Sequence, residues 1–171
     1  MPATTVDRFY GKYRGIVVDN NDPLRLARLQ VRVPDVLGTL TSGWALPCLP
    51  VAGNGMGVFA LPPVGANVWV EFEQGDAAFP VWTGGFWDDA SPPPQRAVDP
   101  PRLQNVLLQT AGGSSLLITD QPGPRGGIVL RSPGGVSLTL NDTGITLVSG
   151  AAKITMSLTT VDINDSALSI T

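Results

Sequence analysis

Val136-Ser137-Leu138-Thr139-Leu140-Asn141-Asp142-Thr143-Gly144-Ile145-Thr146-Leu147 reads as two short strands around a polar corner that ends in glycine. Apolar side chains fall at every second position, the period at which a strand sends successive residues to opposite faces. The pattern continues on both sides. Leu116 and Ile118, Ile128 and Leu130, Val136 with Leu138 and Leu140, Ile145 and Leu147, Ile154 with Met156 and Leu158, Val161 and Ile163, and Leu168 and Ile170 are the successive units. They start roughly seven to twelve residues apart, the length of a strand plus a turn. Residues 103–171 therefore read as a ribbon of short strands with a slim, wholly aliphatic inner row.

Working outward, the composition breaks sharply. All eleven aromatic residues lie at or before Trp87. The break separates residues 1–89 from the ribbon, with 90–102 as the join. There, Ser91-Pro92-Pro93-Pro94 and Asp99-Pro100-Pro101 favour a stiff, extended segment over a loose tether. With 20 Gly and 16 Pro among 171 residues, about a fifth of the chain, long helices are not expected. The fold class is all-β.

In the first part, strands are expected over residues 13–18, 29–33, 44–49, 58–61, 68–73 and 80–84. Val68, Val70 and Phe72 mark the inward face of the strongest of them. Asp19-Asn20-Asn21-Asp22-Pro23 and Gly53-Asn54-Gly55-Met56-Gly57 are the main corners. So many short strands in under ninety residues suit a small closed barrel, because closure removes exposed edges.

The ribbon has a different problem. One aliphatic row does not offset the conformational entropy of ordering so long a segment, and a lone ribbon leaves strand edges unpaired. It is expected to fold only as an oligomer, three copies forming a triangular prism with a dry, narrow centre. That centre explains the use of Leu, Ile, Val and Met without aromatic rings. Leu116, Ile118, Ile128, Leu130, Val136, Leu138, Leu140, Ile145, Leu147, Ile154, Met156, Leu158, Val161, Ile163, Leu168 and Ile170 are the expected trimer core. A monomeric β-sandwich or solenoid is the alternative.

A net charge of -3 argues against a nucleic-acid partner, whose affinity needs Lys and Arg against phosphates. With no histidine and one cysteine, Cys48, the chain makes neither an internal disulfide nor a Cys/His zinc site, and no cofactor is expected. Cys48 lies in the apolar run Ala45-Leu46-Pro47-Cys48-Leu49 and is expected to be a buried, inert thiol. No apolar stretch approaches the roughly 18 residues of a membrane span. The first ten residues carry no apolar leader, so synthesis in the cytoplasm without a signal peptide is expected.

Other clusters have plain readings. Glu71, Glu73, Asp76, Asp88 and Asp89 invite an acid–base pair, but a solvated acidic face accounts for Glu71 and Glu73. Asp19 to Asp22 offers oxygen ligands without the spacing of a calcium loop. The Gly53–Gly57 corner lacks the Lys-Ser/Thr of a phosphate loop. Lys12, Arg14, Arg25, Arg28 and Arg32 concentrate positive charge early, without the interleaved aromatics of a single-strand binder.

Three stretches carry a family resemblance. They are Gly15-Ile16-Val17-Val18-Asp19-Asn20-Asn21-Asp22-Pro23 with Ala27-Arg28-Leu29-Gln30-Val31-Arg32-Val33-Pro34; Gly43-Trp44-Ala45; and Pro62 through Asp76 with Phe79-Pro80-Val81-Trp82-Thr83-Gly84-Gly85. Over residues 10–88 the chain resembles the N-terminal barrel of baseplate assembly protein V and VgrG-like central spikes of contractile injection systems. Residues 105–171 resemble the stem of those spikes in pattern more than in particular residues. The resemblance implies an OB-fold barrel followed by an intertwined triple-stranded β-helix, assembled as a homotrimer in a phage tail or injection particle. It further implies a non-enzymatic spike whose barrel docks to a separate hub protein and whose stem contacts the target membrane mechanically. A separate PAAR-like protein would sharpen the tip. No lysozyme domain fits into the short joint, and the histidine-liganded tip metal of some members is excluded. An OB-fold nucleic-acid module, a cell-wall hydrolase and a carbohydrate binder are the rival functions.

Overall fold

A computed structural model describes residues 7–99, 104–165 and 167–170; the side chains of Ser169 and Ile170 lie outside the described residues, as do Pro100, Pro101, Arg102 and Leu103. The chain divides into two compact units, Met1–Pro92 and Pro93–Thr171.

In the first unit the strands are β1 (Tyr13–Asp19), β2 (Gln30–Arg32), β3 (Leu46–Pro47), β4 (Ala52–Gly53), β5 (Met56–Gly57), β6 (Asn67–Phe72) and β7 (Pro80–Gly85). Five of them form one sheet in the order β2-β1-β6-β7-β3. The sheet curls until its ends meet. Leu29 and Ala45 exchange backbone hydrogen bonds of 3.1 and 2.7 Å, and Ser42 N donates to Val31 O at 2.8 Å. The segment that bridges to β2 then becomes β3, parallel to β7. Closure encloses Val17, Leu29, Val31, Val33, Ala45, Val68, Val70, Phe72 and Trp82 in one core. The alternation of β6 delivers Val68, Val70 and Phe72 inward, as its sequence demands. The indole of Trp82 fits this apolar centre because its N–H donates to Ala27 O at 2.9 Å.

Two expectations for this unit change. Residues 58–61 form no strand; the Gly-rich corner instead folds into the small β4–β5 hairpin, and Val58 and Phe59 stay exposed. Cys48 is exposed rather than buried. Alternation explains it: Ala45 is the inward residue of that segment, Pro47 and Leu49 are half-buried, and Leu46 and Cys48 point out.

The second unit holds β8 (Asn105–Gln109), β9 (Ser115–Thr119), β10 (Gly127–Arg131), β11 (Ser137–Asn141), β12 (Gly144–Ser149), β13 (Ala152–Met156), β14 (Val161–Ile163) and β15 (Leu168–Ile170). They pair in chain order, every pair antiparallel, as an eight-stranded meander. Among the described residues, only β8 and β15 are therefore edge strands of this sheet. The concern that a lone ribbon leaves long edges unpaired is thus answered within the chain, by tight hairpins. Asn141 and Gly144 close one of them, with Asn141 Oδ1 accepting from Thr143 N at 2.9 Å and from its hydroxyl at 2.6 Å. Gly144 adopts φ 130°, and a Cβ there would overlap the carbonyl oxygen of Met156. Only glycine fits this position.

Candidate functional site

The register of the meander places its apolar residues in two continuous rows. Val106, Ile118, Ile128, Leu140, Ile145, Met156 and Val161 are successive cross-strand partners, and the backbone of Ile170 comes next. Leu108, Leu116, Leu130, Leu138, Leu147, Ile154, Ile163 and Leu168 form the parallel row two residues away. Both rows lie on one face, because directly opposed residues share a face and so do residues two apart along a strand. Not one polar side chain interrupts either row.

Among the described residues of the unit, nothing forms a second layer over this face. Ile118, Ile128, Leu130, Leu140, Leu147, Ile154, Met156 and Leu168 are all exposed, and Leu116, Leu138, Ile145, Val161 and Ile163 are half-buried, sheltered mainly by cross-strand neighbours. A contiguous apolar strip of this length on a lone sheet marks an interaction surface. The opposite face turns polar along its length. Leu107, Leu117 and Val129 are followed by Thr139, Thr146, Thr155 and Asp162 in the same cross-strand series. One side suits water and the other does not.

Most of the residues expected to line the trimer core lie on these rows. Two do not. Val136 stands just before β11, in the turn where Ser132 N donates to Val136 O. Leu158 sits in the β13–β14 turn and is 96% exposed. The side chain of Ile170 lies outside the described residues. The sequence pattern missed Val106 and Leu108, which extend both rows onto β8 at 59% and 67% exposure. The run Val106-Leu107-Leu108 is continuously apolar, as are Leu116-Leu117-Ile118 and Ile128-Val129-Leu130, and pairing with Ile118 and Leu116 assigns its face.

On the barrel, the polar clusters are occupied with holding the fold. The Asp22 carboxylate accepts from the backbone of Leu24 at 3.0 Å and Leu26 at 2.7 Å, and from Arg28 Nε at 3.0 Å. Arg28 in turn lies over the Trp44 ring, 5.5 Å from its centroid. The Arg28 guanidinium, helped by those backbone donors, holds the Asp22 carboxyl well below the usual carboxylate range. Asp19 caps Asn21 N at 2.8 Å, and Asn20 Nδ2 donates to Pro62 O at 3.0 Å. The acidic corner is a turn clamp. Among the described residues no group of three Asp, Glu or Cys side chains is placed to hold a metal.

Glu71 pairs with Lys12 Nζ at 2.7 Å, and the same ammonium reaches Thr83 Oγ1 at 3.1 Å. Glu73 opens a 3-10 turn (Glu73–Gly75) rather than continuing the β6 face. The two carboxylates therefore do not form an acid–base pair across one strand. A cluster that sequence spacing hid is Arg14 over the rings of Trp69 and Phe86, at 5.8 and 5.3 Å from the centroids. These residues are far apart in the chain, and only the β1–β6 pairing, with Arg14 opposite Trp69, brings them together.

Two family models match the chain. The injector OB domain shared by type VI secretion systems and phage baseplates matches residues 13–87. The phage baseplate V C-terminal trimerisation domain matches residues 105–169. No curated protein matches the chain. The first match coincides with the closed barrel and the second with the meander and its uncovered face. With an OB barrel followed by a trimerisation domain, in that order and over most of its length, the chain belongs to the phage baseplate V family of spike proteins.

Proposed function

We propose that this protein is the central spike of a contractile tail or injection particle: a homotrimer that docks to a hub through its barrels and meets the target envelope with its stem. The observation that carries this reading is the pair of uninterrupted aliphatic rows, open along the whole meander. Three copies facing inward would bury those rows as a dry axis and present Thr139, Thr146, Thr155 and Asp162 to water. In this arrangement the meander winds with its sisters into a triple-stranded β-helical prism, whose densely hydrogen-bonded walls transmit the force of sheath contraction. The joint over 90–102 sets barrel and stem as separate pieces of that device, and a separate PAAR-like protein would cap the stem.

The role is mechanical and not enzymatic. Glu71 is tied to Lys12 and Asp22 to Arg28, which leaves those carboxylates committed to structure. Two assays test the reading together. Purified protein is expected to form trimers that bind the hub of the same particle, and to release nothing from peptidoglycan. Peptidoglycan turnover that is lost in Glu71→Gln would establish a hydrolase instead.

A further inference from the structure

The two turn-bearing edges of the stem meander, which run across the strand ends rather than along β8 and β15, differ, and the difference points to how neighbouring copies engage. On the edge that carries the turn between β12 and β13, a groove of about 280 Å³ opens on the aliphatic face. Val136, Leu147, Ala152, Ile154 and Ile163 supply its apolar walls. At about 30 Å³ per water, it has room for a branched four-carbon side chain with space to spare.

The opposite edge carries a matching protrusion. In the turn between β13 and β14, Ser157 N donates to Thr160 O at 2.9 Å, and Ser157 Oγ accepts from Thr160 N at 3.2 Å. The turn is pinned at its base, and Leu158 at its crown is 96% exposed. A fully exposed leucine on a pinned turn, at the end of an aliphatic face, has nothing to touch among the described residues of its own chain. Its own groove is out of reach, because Leu158 stands four residues beyond Ile154, the groove residue nearest to it along that strand, up to about 14 Å at ~3.4 Å per residue. The groove spans β11 to β14 and the protrusion caps β13 and β14, so both stand at the same level of the stem.

In a closed ring of three, the contact is head-to-tail: one edge of each copy meets the opposite edge of the next. We propose that Leu158 of each copy seats in the Val136–Leu147–Ala152–Ile154–Ile163 groove of its neighbour, locking the three stem sheets at their corners. This deepens the trimeric-spike reading and rests on it. It also gives Val136 and Leu158, which stand off the two central rows, a place in the interface: one lines the socket and the other fills it.

The test uses the full chain with Cys48→Ser, which removes the exposed native thiol. In that background, Leu158→Cys with Ala152→Cys is expected to give a covalent closed trimer after oxidation or a short bis-maleimide. Either substitution alone is expected to give none. Trimers by native mass that stay uncross-linked overturn the seating and leave trimerisation standing. A monomeric Cys48→Ser parent overturns both. A second variant covers the case in which the double substitution does not assemble. Truncating a leucine that is exposed in every state changes stability little, yet Leu158→Ala is expected to lower the melting temperature of the trimer by about 5 °C or more. An unchanged melting temperature overturns the proposal.

Discussion

The barrel and the stem are built from the same material, short antiparallel strands joined by Gly-rich turns, yet they solve the problem of the apolar face in opposite ways. In the barrel the sheet curls until Leu29 meets Ala45, and nine apolar side chains share one enclosed core. In the stem the sheet stays open, and its aliphatic rows remain bare along eight strands. Closure lets a strand set supply its own second layer; an open meander has to obtain one from elsewhere. The side chains follow from this. Trp82 and Phe72 fill a wide barrel centre, whereas the stem uses only aliphatic groups, which suit a narrow axis shared by three chains.

The sharpest way to break the contrast is to place a charge on the stem axis. Ile145, between Leu140 and Met156 in its row, is half-buried. Ile145→Asp is expected to abolish trimers, because three carboxylates would crowd one dry axis. All four tryptophans lie in the barrel, so their fluorescence is expected to stay native-like while native mass falls to the monomer. Trimers of unchanged stability would show that this face points outward.

The converse substitution is Leu29→Ala in the barrel, where the side chain is fully enclosed. A loss of about 3 kcal/mol in the tryptophan-detected unfolding transition is expected, with the trimeric mass retained. Next in size is Gly144→Ala in the stem. With φ at 130° and the Met156 carbonyl in the way, it is expected to destabilise the stem by roughly 1–3 kcal/mol. Denaturant titration of the trimer reads this directly.

The smallest effect separates the two halves by pH. The Asp22 carboxyl is held below its ordinary value of 3.8 by Arg28 and backbone donors, so the unfolded chain takes up this proton first. The stabilisation is complete above about pH 4 and declines as pH falls below it. Asp22→Asn is expected to lower the melting temperature of the barrel at pH 7 and to flatten its decline below about pH 4. The stem transition is expected to be unaffected.

Much of this was legible in the residues. Alternation placed Leu138 with Leu140 and Ile145 with Leu147, and hairpin register follows once Asn141-Asp142-Thr143-Gly144 is read as a turn. The inward set of β6 was equally plain. What escaped reading depends on contacts between distant segments. Cys48 looked buried because its neighbours are apolar, but barrel closure fixes Ala45 as the inward residue. Val106 and Leu108 stand next to the joint, ahead of the first unit of the repeat, and pairing with Ile118 and Leu116 assigns them a face. Arg14, Trp69 and Phe86 meet only through strand pairing. Leu158 continued the alternation of Ile154 and Met156 on paper, yet β13 ends at Met156 and the turn carries it outward.

The central claim is that the bare aliphatic rows of the stem are covered by two further copies of the same chain. Native mass measurement across a dilution series, read together with amide exchange of the stem, tests it most directly. A species of three times 17.9 kDa, with stem amides protected only while that species persists, is expected. A 17.9 kDa monomer whose stem amides stay protected at high dilution would contradict it.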